Sequence, residues 1–338
     1  MYVQADDEDW TVQNGGMDVT FISSKAVYFQ ATVLSDIQIF KIEDRFTHPI
    51  KDWRMVSSSE GIDLESSGMF TIPYTGIYYT VVSVILDNAA FTSSNSFYKA
   101  NMKINEEKVS GVYAKRKIGL TQVDNTKRTY TLFFSGSFHA EKNSKLYVEV
   151  ETGNDVGFTI VQMSSWAIVF LRDDEYLSGG LGTLESDISF RDNGETWKKL
   201  SFGFSASGPG GIYELTQKLS FNSGTINIHN DGIFVISANV EVEYNLEESI
   251  MLELAVFINE NKLENGLNIQ KKSFWKAETL HIIGAVFLKN NDKIEIKFSA
   301  GSLPDTKLLG TSGFSILMIT EEDQTASFTA RITVRNCL

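Results

Sequence analysis

Hydrophobic and polar positions alternate along most of this chain. In Lys145-Leu146-Tyr147-Val148-Glu149-Val150-Glu151, the residues Leu146, Val148 and Val150 share one face and Glu149 and Glu151 the other. The same rhythm runs through Asn239-Val240-Glu241-Val242-Glu243 and through Lys293-Ile294-Glu295-Ile296-Lys297-Phe298. A period of two, with β-branched residues inside and charges outside, predicts half-buried strands. Turn signals interrupt the runs at short intervals: Ser67-Gly68, Thr75-Gly76, Asn230-Asp231-Gly232, Asn265-Gly266 and Asn290-Asn291-Asp292. Asn, Asp and Gly accept the positive φ of tight hairpins. The pattern predicts an all-β chain of short antiparallel strands, a sandwich or jelly roll.

The pattern also repeats. Residues 66–86 (SSGMFTIPYTGIYYTVVSVIL) align with 222–242 (NSGTINIHNDGIFVISANVEV) at an offset of 156, with Ser67/Ser223, Gly68/Gly224, Gly76/Gly232 and Ile77/Ile233 identical. Ile104-Asn105-Glu106 lies over Ile258-Asn259-Glu260. Residues 130–150 match 280–298, and 164–171 match 312–319, both at an offset of 148. The drift between offsets places length changes in loops, the longest being Val112 to Tyr130 of the first copy, read as an exposed loop. Ordered agreement of four blocks predicts two homologous domains. Their expected bounds are 21–172 and 183–320, after an acidic segment 1–20, with a linker at 173–182 and a tail at 321–338.

Composition narrows the function classes. The 338 residues carry 30 Lys+Arg against 43 Asp+Glu, a formal charge of −13, which argues against a phosphate-backbone partner. No run reaches the roughly 18–20 apolar residues of a membrane span, so membrane insertion is not expected. One Cys excludes an intrachain disulfide framework. The 23 Phe and 12 Tyr suit sheet interiors. Tyr78, Phe234, Trp166 and Phe314 fall in apolar strands, where burial of each is worth roughly 2–3 kcal/mol.

Gly68-Met-Phe70-Thr-Ile-Pro73-Tyr-Thr-Gly76-Ile-Tyr78 resembles the G-x-F-x-x-P-x-x-G-x-Y signature of the complement-1q globular head, within the TNF-like jelly-roll superfamily. The second copy keeps both glycines and an aromatic at Phe234, puts Ile226 in the Phe slot and loses the Pro. The turn Lys289-Asn-Asn-Asp292 and the strand Thr311-Ser-Gly313-Phe314-Ser-Ile316 resemble the family's closing elements, with Ser164-Ser-Trp166-Ala-Ile168 as the first-copy counterpart. The resemblance implies two tandem antiparallel jelly-roll β-sandwich domains, a homo-trimer, and an extracellular or secreted setting. It also implies that some of the four aromatics pack at a threefold axis. Calcium is the candidate cation, in loops bearing Asp155 and Asp305 and, from the acidic join, at Asp173 and Asp174. No cofactor is required.

Catalytic patterns are missing from the sequence. His48, His139, His229 and His281 lack metal spacing, and neither a G-x-S-x-G elbow nor a Walker loop occurs. The expectation is a non-enzymatic binding or structural assembly protein. The alternative is a soluble recognition lectin or a TNF-like receptor ligand, with the basic run Lys115-Arg116-Lys117 engaging an acidic glycan or a protein. In the tail, Ala326-Ser-Phe328-Thr-Ala330-Arg-Ile332 is similar to Ala26-Val-Tyr-Phe29-Gln-Ala31-Thr. Phe328, Ile332, Val334 and Cys337 are therefore candidates for a strand or disulfide between chains, leading to higher-order or filamentous assembly.

Overall fold

The computed structural model describes residues 15–19, 27–40, 46–59, 62, 64–91, 93, 96–117, 124–153, 157–170, 179–184, 186–190, 197–203, 213–215, 218–244, 250–263, 267–273, 276–300, 306–321 and 328–332. Every regular element among them is a β-strand, and every pairing is antiparallel. None is a helix long and apolar enough to cross a membrane.

The long strand Gly76–Phe91 organises the first repeat. It pairs with Asp124–Ala140 on one side and with Ser165–Phe170 on the other, which in turn pairs with Val27–Val33. A second layer runs through Glu107–Lys117, Phe97–Ile104, Lys145–Thr152 and Phe46–Pro49. Inward residues of both layers form one core: Phe29, Ala31, Val82 and Trp166 meet Tyr98, Met102, Val148 and Val150. The second repeat is built likewise. Gly232–Tyr244 lies between Ala277–Leu288 and Gly313–Glu321. Its core joins Phe234, Val240 and Phe314 to Leu254, Ile296 and Phe298 on the sheet of Ile250–Ile258 and Lys293–Ser299.

All four aromatics singled out from the sequence sit in these cores, each at 1% exposure or less. Trp166 packs edge-on against Phe29 at 4.8 Å and donates its indole N–H to Thr80 Oγ1 at 3.1 Å. Phe314 lies 5.2 Å from Phe202.

The turns repeat as faithfully as the cores. Gly68 and Gly224 share φ +75°, and a Cβ would fall 2.4 Å from the Ile50 carbonyl oxygen in one copy and 2.5 Å from that of Leu200 in the other. Both left-handed backbone and close approach demand glycine there. Asn105-Glu106 (φ 48°, 72°) and Asn259-Glu260 (φ 49°, 69°) make matching two-residue hairpins with positive φ at both positions.

Two expectations change. Most of Val112 to Tyr130 is strand, within Glu107–Lys117 and Asp124–Ala140. Polarity misled there, because the charged side chains near 115 find partners on the other repeat instead of water. The last residues of the expected linker also enter a strand, Gly179–Leu184, paired with Gly313–Glu321.

Candidate functional site

The two repeats dock on one another, and the contact gathers a cluster of buried polar side chains, among them Ser135, Asn239, Glu241 and Ser315. It begins with the backbone. Ala277 pairs with Lys117 and Glu278 with Arg116, so one sheet continues from the second repeat into the first. Nearby, Gly111 and Gly313 stand back to back. A Cβ on Gly313 would come 2.3 Å from the Gly111 Cα, and one on Gly111 2.5 Å from the Gly313 Cα. Only two glycines allow backbones to approach this closely.

Two side chains of the strand Gly232–Tyr244 are hubs. Asn239 donates to the carbonyls of Gly111 at 2.8 Å and Ser135 at 2.7 Å, both on the first repeat. Its Oδ1 lies 2.6 Å from His281 Nδ1. A carbonyl oxygen cannot donate, so His281 carries its proton on Nδ1. Its Nε2 then accepts from Ser135 Oγ at 3.4 Å, and Ser135 faces the Tyr79 hydroxyl at 3.2 Å. Desolvation pushes the His281 pKa down to about 3, so the ring is neutral and this network needs no charge. Phe133 packs edge-on against the same ring at 4.7 Å.

Glu241 is the charged hub, at 2% exposure. Lys115 Nζ reaches its Oε1 at 2.5 Å, and the Tyr113 hydroxyl donates to its Oε2. Thr311 Oγ1 lies 2.6 Å from that same hydroxyl. Burial pushes the Glu241 carboxyl upward, but Lys115, Tyr113 and Lys99 outweigh it and hold the group below the usual carboxylate range. Burial, then the Glu241 charge, raises the Tyr113 phenol well above its ordinary value, so it stays a neutral donor. Lys99 lies 3.9 Å over the Tyr113 ring, and burial brings its own pKa down to about 8. A hydroxyl cluster completes the contact: Ser237 and Ser315 at 2.7 Å, Ser137 N–H to Ser315 Oγ at 3.3 Å, and Lys115 N–H to Thr279 Oγ1 at 3.0 Å.

The basic run thus points into the docking contact. Lys115 is bound to Glu241, and Lys117 pairs through its backbone with Ala277. Arg116 lies 5.9 Å over the Tyr130 ring, close to the buried Glu278. Asp155, Asp305, Asp173, Asp174, Val334 and Cys337 lie outside the described residues; Phe328 and Ile332 fall in the strand Phe328–Ile332. Among the described residues no three His, Cys, Asp or Glu side chains converge as metal ligands would.

Asn239, Glu241 and His281 carry no motif. The alternation did put Asn239 and Glu241 on the outward face of their strand; it did not show what covers that face. The one available signal was the repeat itself, because their counterparts in the first copy are Ser83, Ile85 and Phe133.

No family model and no curated protein matches the chain. Among solved structures, that of Eiger TNF from S. frugiperda is similar at 14% identity and a TM-score of 0.34, covering 44% of this chain and 94% of that one.

Proposed function

We propose that the chain is a non-enzymatic extracellular assembly and binding protein, made of two tandem jelly rolls, and that three chains close head to tail into a ring. The observation that carries this reading is the docking contact. It is head to tail: strands Glu107–Lys117 and Asp124–Ala140 of the first roll meet the sheet face of Gly232–Tyr244, Ala277–Leu288 and Gly313–Glu321 of the second. A head-to-tail contact uses two different surfaces, and each can be reused on a further copy.

The first roll keeps the counterpart of the occupied face. Val81, Ser83, Ile85, Ala167 and Val169 line it, all half-buried. Ser83 and Ile85 stand where Asn239 and Glu241 stand in the second roll, and Ala167 where Ser315 stands. A mostly apolar sheet face of this kind marks an interaction surface, and a jelly roll of another copy is the occupant that the internal contact specifies. A homo-trimer is the assembly that the family resemblance implies, and it is the state proposed here. Ile85→Arg sets an unpaired cation on the open face and leaves the internal contact untouched. The variant is expected to lose the three-chain species by light scattering while retaining its thermal transition. Wild-type assembly surviving in Ile85→Arg would overturn the use of this face.

A further inference from the structure

The strands Gly15–Val19 and Phe328–Ile332 pair with each other and form a two-stranded sheet of their own. In each repeat, the first strand pairs antiparallel with the last. In the first copy Trp166 stands opposite Ala31 and Ile168 opposite Phe29. In the second, Phe314 stands opposite Gly182 and Ile316 opposite Gly180. The terminal pair keeps this register: Met17 stands opposite Ala330, and Val19 opposite Phe328.

The residues agree with the register. Gly15-Gly16-Met17-Asp18-Val19 aligns with Ser312-Gly313-Phe314-Ser315-Ile316, sharing the glycine, a large apolar residue and a β-branched one two places on. Phe328-Thr-Ala330-Arg-Ile332 aligns with Phe29-Gln-Ala31-Thr-Val33. Residues 15–19 therefore have the character of a last strand and 328–332 that of a first strand. Their order in the chain is the reverse of the order within a repeat. A repeat read in its normal direction, first strand before last, runs from residues 328–332 of one copy to residues 15–19 of the next.

We infer that these two strands are the halves of a third seam, which closes between copies: the C-terminal strand of one chain pairs with the N-terminal strand of its neighbour. The inference rests on the repeat architecture proposed above. A lone two-stranded ribbon is marginal in water, and its outer edges invite further strands. The same backbone hydrogen bonds form within a chain or between chains, so chain concentration decides the partition, as in domain swapping. Because the two strands differ, the contact is head to tail and propagates copy to copy.

The test uses full-length chains with Cys337→Ser as background. One chain carries Met17→Cys, the other Ala330→Cys, and the two are mixed under mild oxidation. The expected result is a two-chain disulfide product at least five-fold more abundant than from the mismatched pair Asp18→Cys with Ala330→Cys. Equal yields overturn the inference. So does a Met17→Cys/Ala330→Cys double variant that links only within single chains at every concentration. In the unmodified protein, hydrogen exchange at residues 328–332 is expected to slow as concentration rises, and a concentration-independent rate counts against the seam. Cross-linking that persists in Ile85→Arg separates the seam from ring closure: wild-type assembly retained in that variant contradicts the proposed function, and absence of the cross-link contradicts the seam.

Discussion

At the scale of single residues, the docking contact is defined by atoms that are missing. Gly111 and Gly313 bring two backbones within a distance that no β-carbon tolerates, and Gly111 also holds φ +72°. Gly313→Val therefore acts differently from a core substitution. Its side chain faces the other repeat, so the second core keeps its packing while the contact opens. Overpacking of this kind costs roughly 1–3 kcal/mol. Hydrogen exchange by mass spectrometry is expected to show faster exchange at residues 111–117 and 277–280, with protection of Leu254 and Ile296 unchanged. Uniform loss of protection across both repeats would mean that the contact and the cores are one cooperative unit. The same glycine was visible in the sequence as part of a closing-strand pattern, but the pattern says nothing about a second backbone facing it.

At the scale of elements, strands that looked solvent-facing are cemented to one another. The network Tyr79–Ser135–His281–Asn239 ties the strands Gly76–Phe91, Asp124–Ala140, Gly232–Tyr244 and Ala277–Leu288 together through neutral hydrogen bonds. Its pH dependence has a definite sign. His281 has a folded pKa of about 3 against 6.5 in the unfolded chain. Between those values the unfolded state binds the extra proton, so stability falls as pH drops. The slope contributed by one such group approaches about 1.4 kcal/mol per pH unit. Denaturant unfolding from pH 7 to pH 4 is expected to show this loss, and His281→Phe to flatten it. An unchanged slope in the variant would remove His281 from the linkage. Much of this scale was legible beforehand. Alternation placed strands at 145–151, 239–243 and 293–298, inside the observed Lys145–Thr152, Gly232–Tyr244 and Lys293–Ser299, and the Asn-Glu pairs fell at equivalent places in both copies. The long loop was misjudged, because Lys115, Arg116 and Lys117 read as an exposed basic run open to a ligand when considered along the chain alone. Glu241 and Glu278, which face them, are more than 120 residues away in sequence, and no local pattern links them.

At the scale of the whole molecule, the two cores, the shared sheet and the terminal ribbon belong to one repeating plan. A sequence repeat at offsets of 156 and 148 becomes a structural one, with hairpin φ angles of 48° and 72° against 49° and 69° and corresponding strand pairings. What the repeat breaks is as informative as what it keeps. The covered face of the second copy is polar, with Asn239, Glu241 and Ser315, and its counterpart on the first copy is mostly apolar, with Val81, Ile85, Ala167 and Val169 around Ser83. Polar hubs satisfied inside one chain fix the relative placement of its own repeats; an apolar face of the same shape suits a partner arriving from outside. The central claim is that this open face is filled by another copy. Multi-angle light scattering of the native chain at micromolar concentration tests it most directly. The account predicts an assembly of three chain masses, and a species of one chain mass across the concentration range would contradict it.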